Sequence, residues 1–598
     1  MMKLIVQTLR NEFVTLDPLQ DDHLAEILEI TGDERIWPYI PVNGADPKVM
    51  ENWVHSGAKQ APEDGTCFAV RLNKTGKIVG HTSYLNVSAT HRRLEIGGTW
   101  YHPNHWGGVV NPACKILLLR HAFEEQGAVR VEIKCDARNM RSRAAIEKLG
   151  ATREGILRKH MLVQDGFQRD TVMYSILVDE WPNVRARLQD RLSGFSTCDA
   201  LYDDVKYYAG LGIHRTGTEV DHQVTDWMAD HLEALDFEVT RLPFQVRQYF
   251  PETVSLEVGS RLLELDKDIG PQWPVTPLPA PLTAPLVDLT DGKTSDVAGG
   301  IVIIDQHMEP PTSPEAQAAL EAAYAHKPAA IIAIGKSETG RIWYGNYHHD
   351  TPLFDVPVIL AGRKDRDFLR TAAASGTEAT LTLTGKVDPA ATAYNVIAKL
   401  DRGSKPLVIS TPQSGWTTCA GERGPGIAYF RALARWAATS EEAAKASFVF
   451  VCNSGHEIWN HGAHESIKAG LIPEPEETAF WLHLGANIGV YDFEGLIDEG
   501  KDGARKTGPI NKTYGMAPEA LVPAATAHFK DAGSLVVSHE TFNVGEMEEI
   551  VAAGYDPAVG FVGANIWHHI PGDTAETLGP EPLGAMGRGF LGLVRDRL

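Results

Sequence analysis

The sequence contains little cysteine, and its cysteines lack the spacing of a disulfide framework or a zinc ribbon. Six cysteines are scattered over 598 residues, and no two of them form a Cys-x-x-Cys pair. This argues against a small domain stabilised by disulfides and against one stabilised by zinc. Long apolar runs are absent too. No run can cross a bilayer, and the opening MMKLIVQTLRNEF has no sustained apolar core. We therefore predict a cytoplasmic protein without a membrane partner.

Positive charge is scarce as well. The chain has 56 Lys and Arg against 78 Asp and Glu, which gives a formal net charge of −22. This balance argues against nucleic acid as a partner, although a local basic patch for phosphate groups stays compatible with it. A hydrophobic fraction of 43% is typical of globular proteins, and 598 residues suffice for several domains. The composition leaves the oligomeric state unknown.

The clearest chemical signal is a strand followed by a glycine turn and a helix. The segment LEIGGTWYH predicts a strand, and Gly107 and Gly108 then open a predicted helix over residues 112–126. A second alternating segment, VRVEIKCDA, leads through Asn139 into a predicted helix over residues 142–149. Unpaired N–H groups and the positive end of a helix dipole face one point in such an arrangement, which predicts an anion site.

This stretch resembles the acetyl-CoA site of the GNAT acetyltransferase superfamily, most closely its ribosomal-protein N-acetyltransferase branch. The resemblance spans residues 3–192, from TLRNEFVTLDPLQDDHLAEIL to GFQRDTVMYSILVDEW. The family turn is (Q/R)xxGx(G/A), and in the run HWGGVVN the second glycine is displaced by one position. The resemblance implies a mixed sheet flanked by helices. It also implies acetyl-CoA as cofactor and a primary amine as acceptor, either a peptide N-terminus or a small molecule.

The resemblance also implies which residues hold the cofactor. Backbone N–H groups near Tyr101 and His102 would meet the thioester, and Asn139 would bind the pantetheine arm. The pyrophosphate would be held by backbone N–H groups of the turn, namely those of Trp106, Gly107, Gly108, Val109, Val110 and Asn111.

Two residues are the candidates for catalysis. Ile146 occupies the register in which many family members carry a tyrosine acid, whereas Ser142 stands where the ribosomal-protein branch uses a serine, so Ser142 is the candidate acid. Its alternative is a helix cap or first-turn serine. Glu95, on the strand before the turn, is the candidate base or water relay, and its alternative is a solvated strand carboxylate. His102 and His105 are substitutes for this role or surface histidines.

From Cys198 onwards, strands and helices alternate as in a parallel sheet with helices on both faces. The segments YNVIAKL, PLVIST, AGERGPGIA, FVFVCNSGHEIWNHGAH and HHIPGD resemble the zinc aminopeptidase and glutaminyl cyclase family. Between them and the first helices, VAGGIVIIDQ, PAAIIAIGK and VPVILAG look like a protease-associated insert. The expected fold class is therefore multidomain α/β. Its parts are a GNAT domain (1–192), a linker (193–197) and an aminopeptidase-like α/β sandwich (198–598) with the insert at about 255–387.

The metal ligands of that family carry over only in part. The family binds two metals through His, a bridging Asp, Glu, Asp and His. Thr411 stands at the first His and Gly485 at the second Asp, and neither is expected to serve as a metal ligand. Glu422 replaces the bridging Asp, while Glu457 and His569 are retained, so these three are the candidate metal ligands. Zinc itself stays an open question.

His456 stands where the family has its general base and is the candidate base of the second half. Several outcomes remain open there: an inactive hydrolase fold, a rearranged single-metal site, or an ordinary two-metal peptidase. We predict an acetyl-CoA-dependent N-acetyltransferase fused to an atypical or inactive zinc-peptidase-like domain. The alternatives are a bifunctional acetyltransferase and metal-dependent amide hydrolase, or a non-catalytic peptide-binding protein.

Overall fold

The computed structural model describes most of the chain, in two compact units of residues 1–197 and 198–598. The described residues are 2, 4–11, 13–193, 195–263, 265, 271, 275–290, 297–305, 314–335, 337–346, 354–495 and 504–598. Gly194, in the predicted linker, lies outside them. No helix among the described residues is both long and apolar enough to span a membrane.

In its described part, the first unit is an eight-stranded sheet with five α-helices. The strands are β1 (Leu9–Arg10), β2 (Val14–Pro18), β3 (Gly65–Leu72), β4 (Ile78–Ser88), β5 (Arg93–Tyr101), β6 (Arg130–Asp136), β7 (Thr152–Leu162) and β8 (Gln168–Leu177). The helices are α1 (Leu24–Thr31), α2 (Pro47–Ala58), α3 (Val110–Arg120), α4 (Met140–Glu147) and α5 (Trp181–Ser193). The strand order is β1-β2-β3-β4-β5-β6-β8-β7, and β5 and β6 are the one parallel pair among the described strands of this sheet.

Helix α3 fills the centre of the core of this unit. Its apolar residues Val110, Cys114, Leu117 and Leu118 are buried against the sheet, as expected for a helix that is apolar on most of its surface. It starts two residues before the predicted position, so Pro112 lies in its first turn, where a missing N–H costs nothing. A π-helical turn over His121–Glu125 extends it.

The second unit has nine helices and fifteen strands in its described part. The helices are α6 (Cys198–Gly210), α7 (Glu219–Glu233), α8 (Pro314–Tyr324), α9 (Arg366–Ala374), α10 (Gly424–Thr439), α11 (His461–Lys468), α12 (Val522–His528), α13 (Glu546–Ala552) and α14 (Pro580–Arg595). The strands are β9 (Glu238–Val258), β10 (Arg261–Leu263), β11 (Leu282–Asp288), β12 (Ile301–Asp305), β13 (Ala330–Ile334), β14 (Val358–Ala361), β15 (Glu378–Leu400), β16 (Leu407–Pro412), β17 (Phe448–Asn453), β18 (Phe480–Leu484), β19 (Asp492–Gly495), β20 (Ala504–Gly508), β21 (Thr513–Ala517), β22 (Leu535–Ser538) and β23 (Ala558–Gly563).

Thirteen of these strands form one mixed sheet. Its main path runs β14-β13-β12-β11-β15-β17-β16-β18-β23-β21-β22, and β9 pairs along β15 and carries β10. Helix α10 contacts α6, α7 and α14, and α11 contacts α13. Helices α7, α10, α11 and α13 also contact the sheet. The apolar strands β12 and β13 lie in a core shared with α8 and α9, within the segment predicted as an insert. The multidomain α/β class predicted from the sequence is confirmed.

We predict that Leu118→Ala destabilises the first unit by about 2–5 kcal/mol, because truncation in a packed core loses contacts and leaves a cavity. The Leu118 side chain is fully buried, whereas Leu162 is 66% exposed, so Leu162→Ala should cost less than about 0.5 kcal/mol. The measurement is the free energy of unfolding from amide hydrogen exchange within residues 1–197 of the full chain. Equal costs for the two variants would contradict the central position of α3.

Candidate functional site

Strands β5 and β6 separate soon after they begin to pair. Their parallel register covers only Arg93–Glu95 of β5 and residues 130–132 of β6. Beyond that point β5 carries a bulge in its pairing with β4, at Gly98, whose φ of +58° favours glycine. The two strands diverge around a cavity of about 540 Å³, lined on one side by residues 95–101 and on the other by residues 133–136.

The predicted glycine turn leads directly into α3 beside this cavity. Gly107 has a φ of +77°, so its glycine is required, whereas the φ of Gly108 is not positive and a Cβ there would touch nothing closer than 3.8 Å. The displaced second glycine therefore does not disturb the turn. Within the described part of the chain, the N–H groups of residues 107–111 donate no hydrogen bond; the Ala113 N–H is the first of the helix to do so, to Val109. Free N–H groups at a helix start attract an anion.

A basic side chain lies next to this turn. The Arg141 guanidinium stacks on the Trp106 ring, 3.2 Å from its centroid, and both residues line the cavity. The Trp106 indole N–H donates to the Tyr101 carbonyl at 2.9 Å, which fixes the ring. Sequence reasoning missed Arg141; the signal was the basic sequence MRSR at the start of the second predicted helix.

The two N–H groups predicted to meet a thioester differ in their surroundings. The His102 N–H donates to the Val79 carbonyl at 2.9 Å, so the sheet already uses it, and His102 does not line the cavity. The N–H and C=O of one strand residue point to the same side. Because the Tyr101 carbonyl faces away from β4 towards Trp106, the Tyr101 N–H faces the open edge. His102 is therefore corrected as a donor, and Tyr101 alone remains available.

Asn139 and Ser142 meet at the start of α4. Asn139 is the N-cap residue, and its Oδ1 accepts the Ser142 N–H at 3.0 Å. Ser142 is therefore the third helical residue rather than the cap, and its hydroxyl interacts with the Cys135 thiol. Both Asn139 and Ser142 line the cavity, as does Ile146 one turn further on.

Glu95 lies where β5 and β6 separate. Its side chain is only 2% exposed and lines the cavity, so it is not a solvated carboxylate. Lys134 approaches its Oε2 at 3.0 Å and the Asn86 amide donates to the same oxygen at 2.8 Å. Oε1 makes no hydrogen bond within the described residues. His105 also lines the cavity, and burial lowers its pKa.

Lys115 is a buried amine in the same cavity that the sequence did not single out. Its Nζ donates to the Thr99 hydroxyl at 3.1 Å, and burial lowers its pKa to about 8. A lysine on the buried face of an otherwise apolar helix was the available signal.

In the second unit, Glu422 is the centre of a buried polar cluster. Its Oε1 lies 2.9 Å from Arg423 Nη2, 3.1 Å from His569 Nε2 and 3.8 Å from His568 Nδ1. Glu422, His568 and His569 present one ligand atom each within 4.8 Å of one another, as metal ligands do. Burial opposes ionisation, but Arg423 and the histidines lower the pKa of Glu422. His568 was missed, although it precedes the predicted His569 directly.

Glu457 does not join this group. Its Oε1 accepts from Arg423 at 2.8 Å and its Oε2 from the Ser414 hydroxyl at 2.6 Å, so both oxygens are committed. The set Glu422, Glu457 and His569 expected from the sequence is therefore corrected: His568 takes the third place, because Arg423 lies between the two carboxylates. Thr411 donates to the Leu484 carbonyl at 2.9 Å.

His456 is buried near Glu546, with Nδ1 and Oε1 3.4 Å apart. Burial and then Arg423 lower its pKa to about 3. His483, on β18, lies on the other side of Glu546, and its Nδ1 interacts with the Ser410 hydroxyl at 2.9 Å. The imidazole of His456 is therefore neutral, as a general base must be. His456 does not belong to the group of Glu422, His568 and His569.

Comparison with known proteins identifies the first unit. The Acetyltransferase (GNAT) domain family matches residues 14–152. The Bacillus subtilis protein named "Putative ribosomal N-acetyltransferase YdaF" is 30% identical over 177 residues, which cover 29% of this chain and 94% of that protein. The resemblance stated for residues 3–192 is thus confirmed.

The second unit is similar to two solved peptidases. A peptidase M28 precursor from Shewanella amazonensis is 17% identical with a TM-score of 0.53, over 69% of this chain and 96% of that one. BSAP, a zinc aminopeptidase from Bacillus subtilis, is 16% identical with a TM-score of 0.51, over 67% and 95%. At these identities the likeness concerns the fold. Through its first unit the chain belongs to the GNAT acetyltransferase family, and its second unit has a zinc aminopeptidase fold.

Proposed function

We propose that the first unit is an acetyl-CoA-dependent N-acetyltransferase whose acceptor is a primary amine, either a peptide N-terminus or a small molecule. The observation that carries the proposal is the cavity between the diverging strands β5 and β6, which borders both the free N–H groups of the turn and the start of α4. A cytoplasmic location accords with the six cysteines, all of which are buried and outside any disulfide.

The residues present fit acetyl-CoA. The N–H groups of residues 107–111 and the Arg141 guanidinium would hold its phosphates, and the side-chain amide of Asn139 would contact the pantetheine arm. When bound, acetyl-CoA supplies an acetyl group as a thioester. The Tyr101 N–H, on the free edge of β5, would donate to the carbonyl oxygen.

Two side chains would move protons. Glu95 Oε1 would accept a proton from the incoming ammonium, while Lys134 and Asn86 keep the other oxygen in place. The Ser142 hydroxyl, across the cavity on α4, would hold the proton that the departing thiolate needs. Glu95 lies on β5 and Ser142 on α4, across the cavity from each other, so the amine would bind between them.

For the second unit we propose an atypical centre rather than an ordinary two-metal peptidase. The support is the placement of Glu457 and Thr411, which are committed to Arg423, Ser414 and Leu484. The bifunctional alternative, in which this unit hydrolyses an amide, is favoured by the cluster of Glu422, His568 and His569.

We expect Arg141→Gln to weaken acetyl-CoA binding about tenfold, because a charge-assisted contact to phosphate is lost. The matched control is Arg143→Gln on the same helix, since Arg143 reaches the Ala137 carbonyl and does not line the cavity. The measurement is calorimetric titration of acetyl-CoA into the full chain. Absence of binding to the unmodified chain at millimolar acetyl-CoA would refute the proposal.

We expect Ser142→Ala to lower kcat about a hundredfold or more while leaving the affinity for acetyl-CoA unchanged, because a proton donor is lost. Cys135→Ala is the control: it removes the neighbouring thiol and keeps the hydroxyl, so kcat should stay close to that of the unmodified chain. The assay follows CoA release with a panel of peptide and small-molecule amines. An unchanged kcat for Ser142→Ala would assign the acid elsewhere.

Glu95→Gln should lose activity at neutral pH and regain it as the pH rises past the pKa of the acceptor amine. Above that pH the amine arrives without its extra proton, so a base is no longer needed. The pH profiles of kcat/KM for the variant and the unmodified chain, with two amines of different pKa, measure this shift. A loss that is independent of pH would leave Glu95 a structural partner of Lys134 only.

A further inference from the structure

Arg423 is a permanent positive charge in the polar cluster of the second unit. Its side chain is 0% exposed, and its Nη2 lies 2.9 Å from Glu422 Oε1 and 2.8 Å from Glu457 Oε1. Its Nε donates to the Ser414 carbonyl at 2.9 Å. A buried guanidinium is tolerated only with such close compensation. The space between the two carboxylates is therefore already filled by a cation.

On the side away from Arg423, the Glu422 carboxylate faces histidines. There its Oε1 faces His569 Nε2, a buried nitrogen without a hydrogen-bond partner in the described part of the chain. The Nδ1 of His569 donates to the Tyr344 carbonyl at 2.7 Å, because a carbonyl can only accept. Nε2 is therefore the ring nitrogen that faces Glu422, as in imidazoles that bind a metal through one nitrogen and a carbonyl through the other.

His568 is the third residue of this group, beside Glu422 and His569. Its ring stacks on that of His569 with centroids 3.9 Å apart, and its Nδ1 lies 3.8 Å from Glu422 Oε1. The same Nδ1 accepts from the Asn487 side-chain amide at 3.1 Å, a hydrogen bond that a metal on Nδ1 would replace. His568 also lines a cavity of about 320 Å³ that Trp343 and Asn565 border. Two imidazoles and one carboxylate are a donor set that suits Zn²⁺, and a set of three leaves a coordination position for water or a ligand.

Asp573 and Thr577 hold the loop that carries Glu422 and Arg423. The backbone N–H groups of Gly421 and Glu422 donate to the two Asp573 oxygens, each at 2.8 Å, and Thr577 donates to the same carboxylate. These hydrogen bonds hold the loop so that the carboxylate of Glu422 faces Arg423 on one side and the histidines on the other.

We propose that this centre takes one divalent cation of the zinc class, bound by Glu422, His568 and His569, and that the Arg423 guanidinium occupies the place of a second. The proposal is independent of acetyl transfer by the first unit. It explains why both oxygens of Glu457 face protein groups: Glu457 serves the guanidinium and not a metal.

The test is the zinc content of the full chain after equilibration with excess ZnCl₂ and removal of unbound metal. We expect one equivalent that is lost in His569→Ala, and an affinity lower by about a hundredfold or more in His568→Ala. The matched control is His464→Ala, because His464 is half exposed and pairs with Glu549. Its zinc content and affinity should equal those of the unmodified chain.

Cobalt provides a second readout that does not depend on activity. One Co²⁺ per chain should give visible absorption bands of a four-coordinate N/O site, and these should be absent in His569→Ala. Arg423→Ala, if it folds, should take up a second equivalent. The role of Arg423 would be overturned if the unmodified chain took up two equivalents and lost both in His569→Ala. The cation site itself would be overturned if His569→Ala lost no metal.

Discussion

The early end of the parallel pairing between β5 and β6 is the constraint on which the first unit depends. A sheet normally uses every backbone N–H and C=O, and an unused edge in an interior costs free energy. Here the pairing stops after three residues on each strand, and the free edge faces a cavity. A ligand that offers amide and carbonyl groups of its own can therefore pair with the edge. The fold itself provides a place for an extended molecule between two strands.

Much of this arrangement could be predicted from the sequence. Alternation in LEIGGTWYH and VRVEIKCDA identified β5 and β6, and Gly107 identified the turn. Asn139 was predicted to precede the next helix, which begins at Met140 rather than at residue 142. Periodicity could not show which neighbours a residue meets. The pairing of the His102 N–H with Val79 and the stacking of Arg141 on Trp106 depend on distances across the sheet, which no local pattern contains.

The second unit shows the same limit in its charged residues. Placing Glu457 at a ligand position of the family was reasonable, because the residue type matched. The substitution that decided its role is Arg423, which follows Glu422 directly and which the sequence argument passed over. A lysine or arginine inside a metal site changes the charge balance of every carboxylate near it. Candidate ligands are therefore better judged together with the cations next to them than one position at a time.

The long strand β15 runs through two parts of the second unit, the part of the sheet around β11 and the part around β17. It pairs with β11 near its start and with β17 near its end, and β9 follows it for almost its entire length. Hinge motion of the segment around β12 and β13 would have to bend this two-stranded ribbon rather than swing on a loop. The ribbon's register breaks between Thr384 and Gly385 and between Asp388 and Ala391. Bending would concentrate at these breaks, since bulged ladders have fewer bonds to strain.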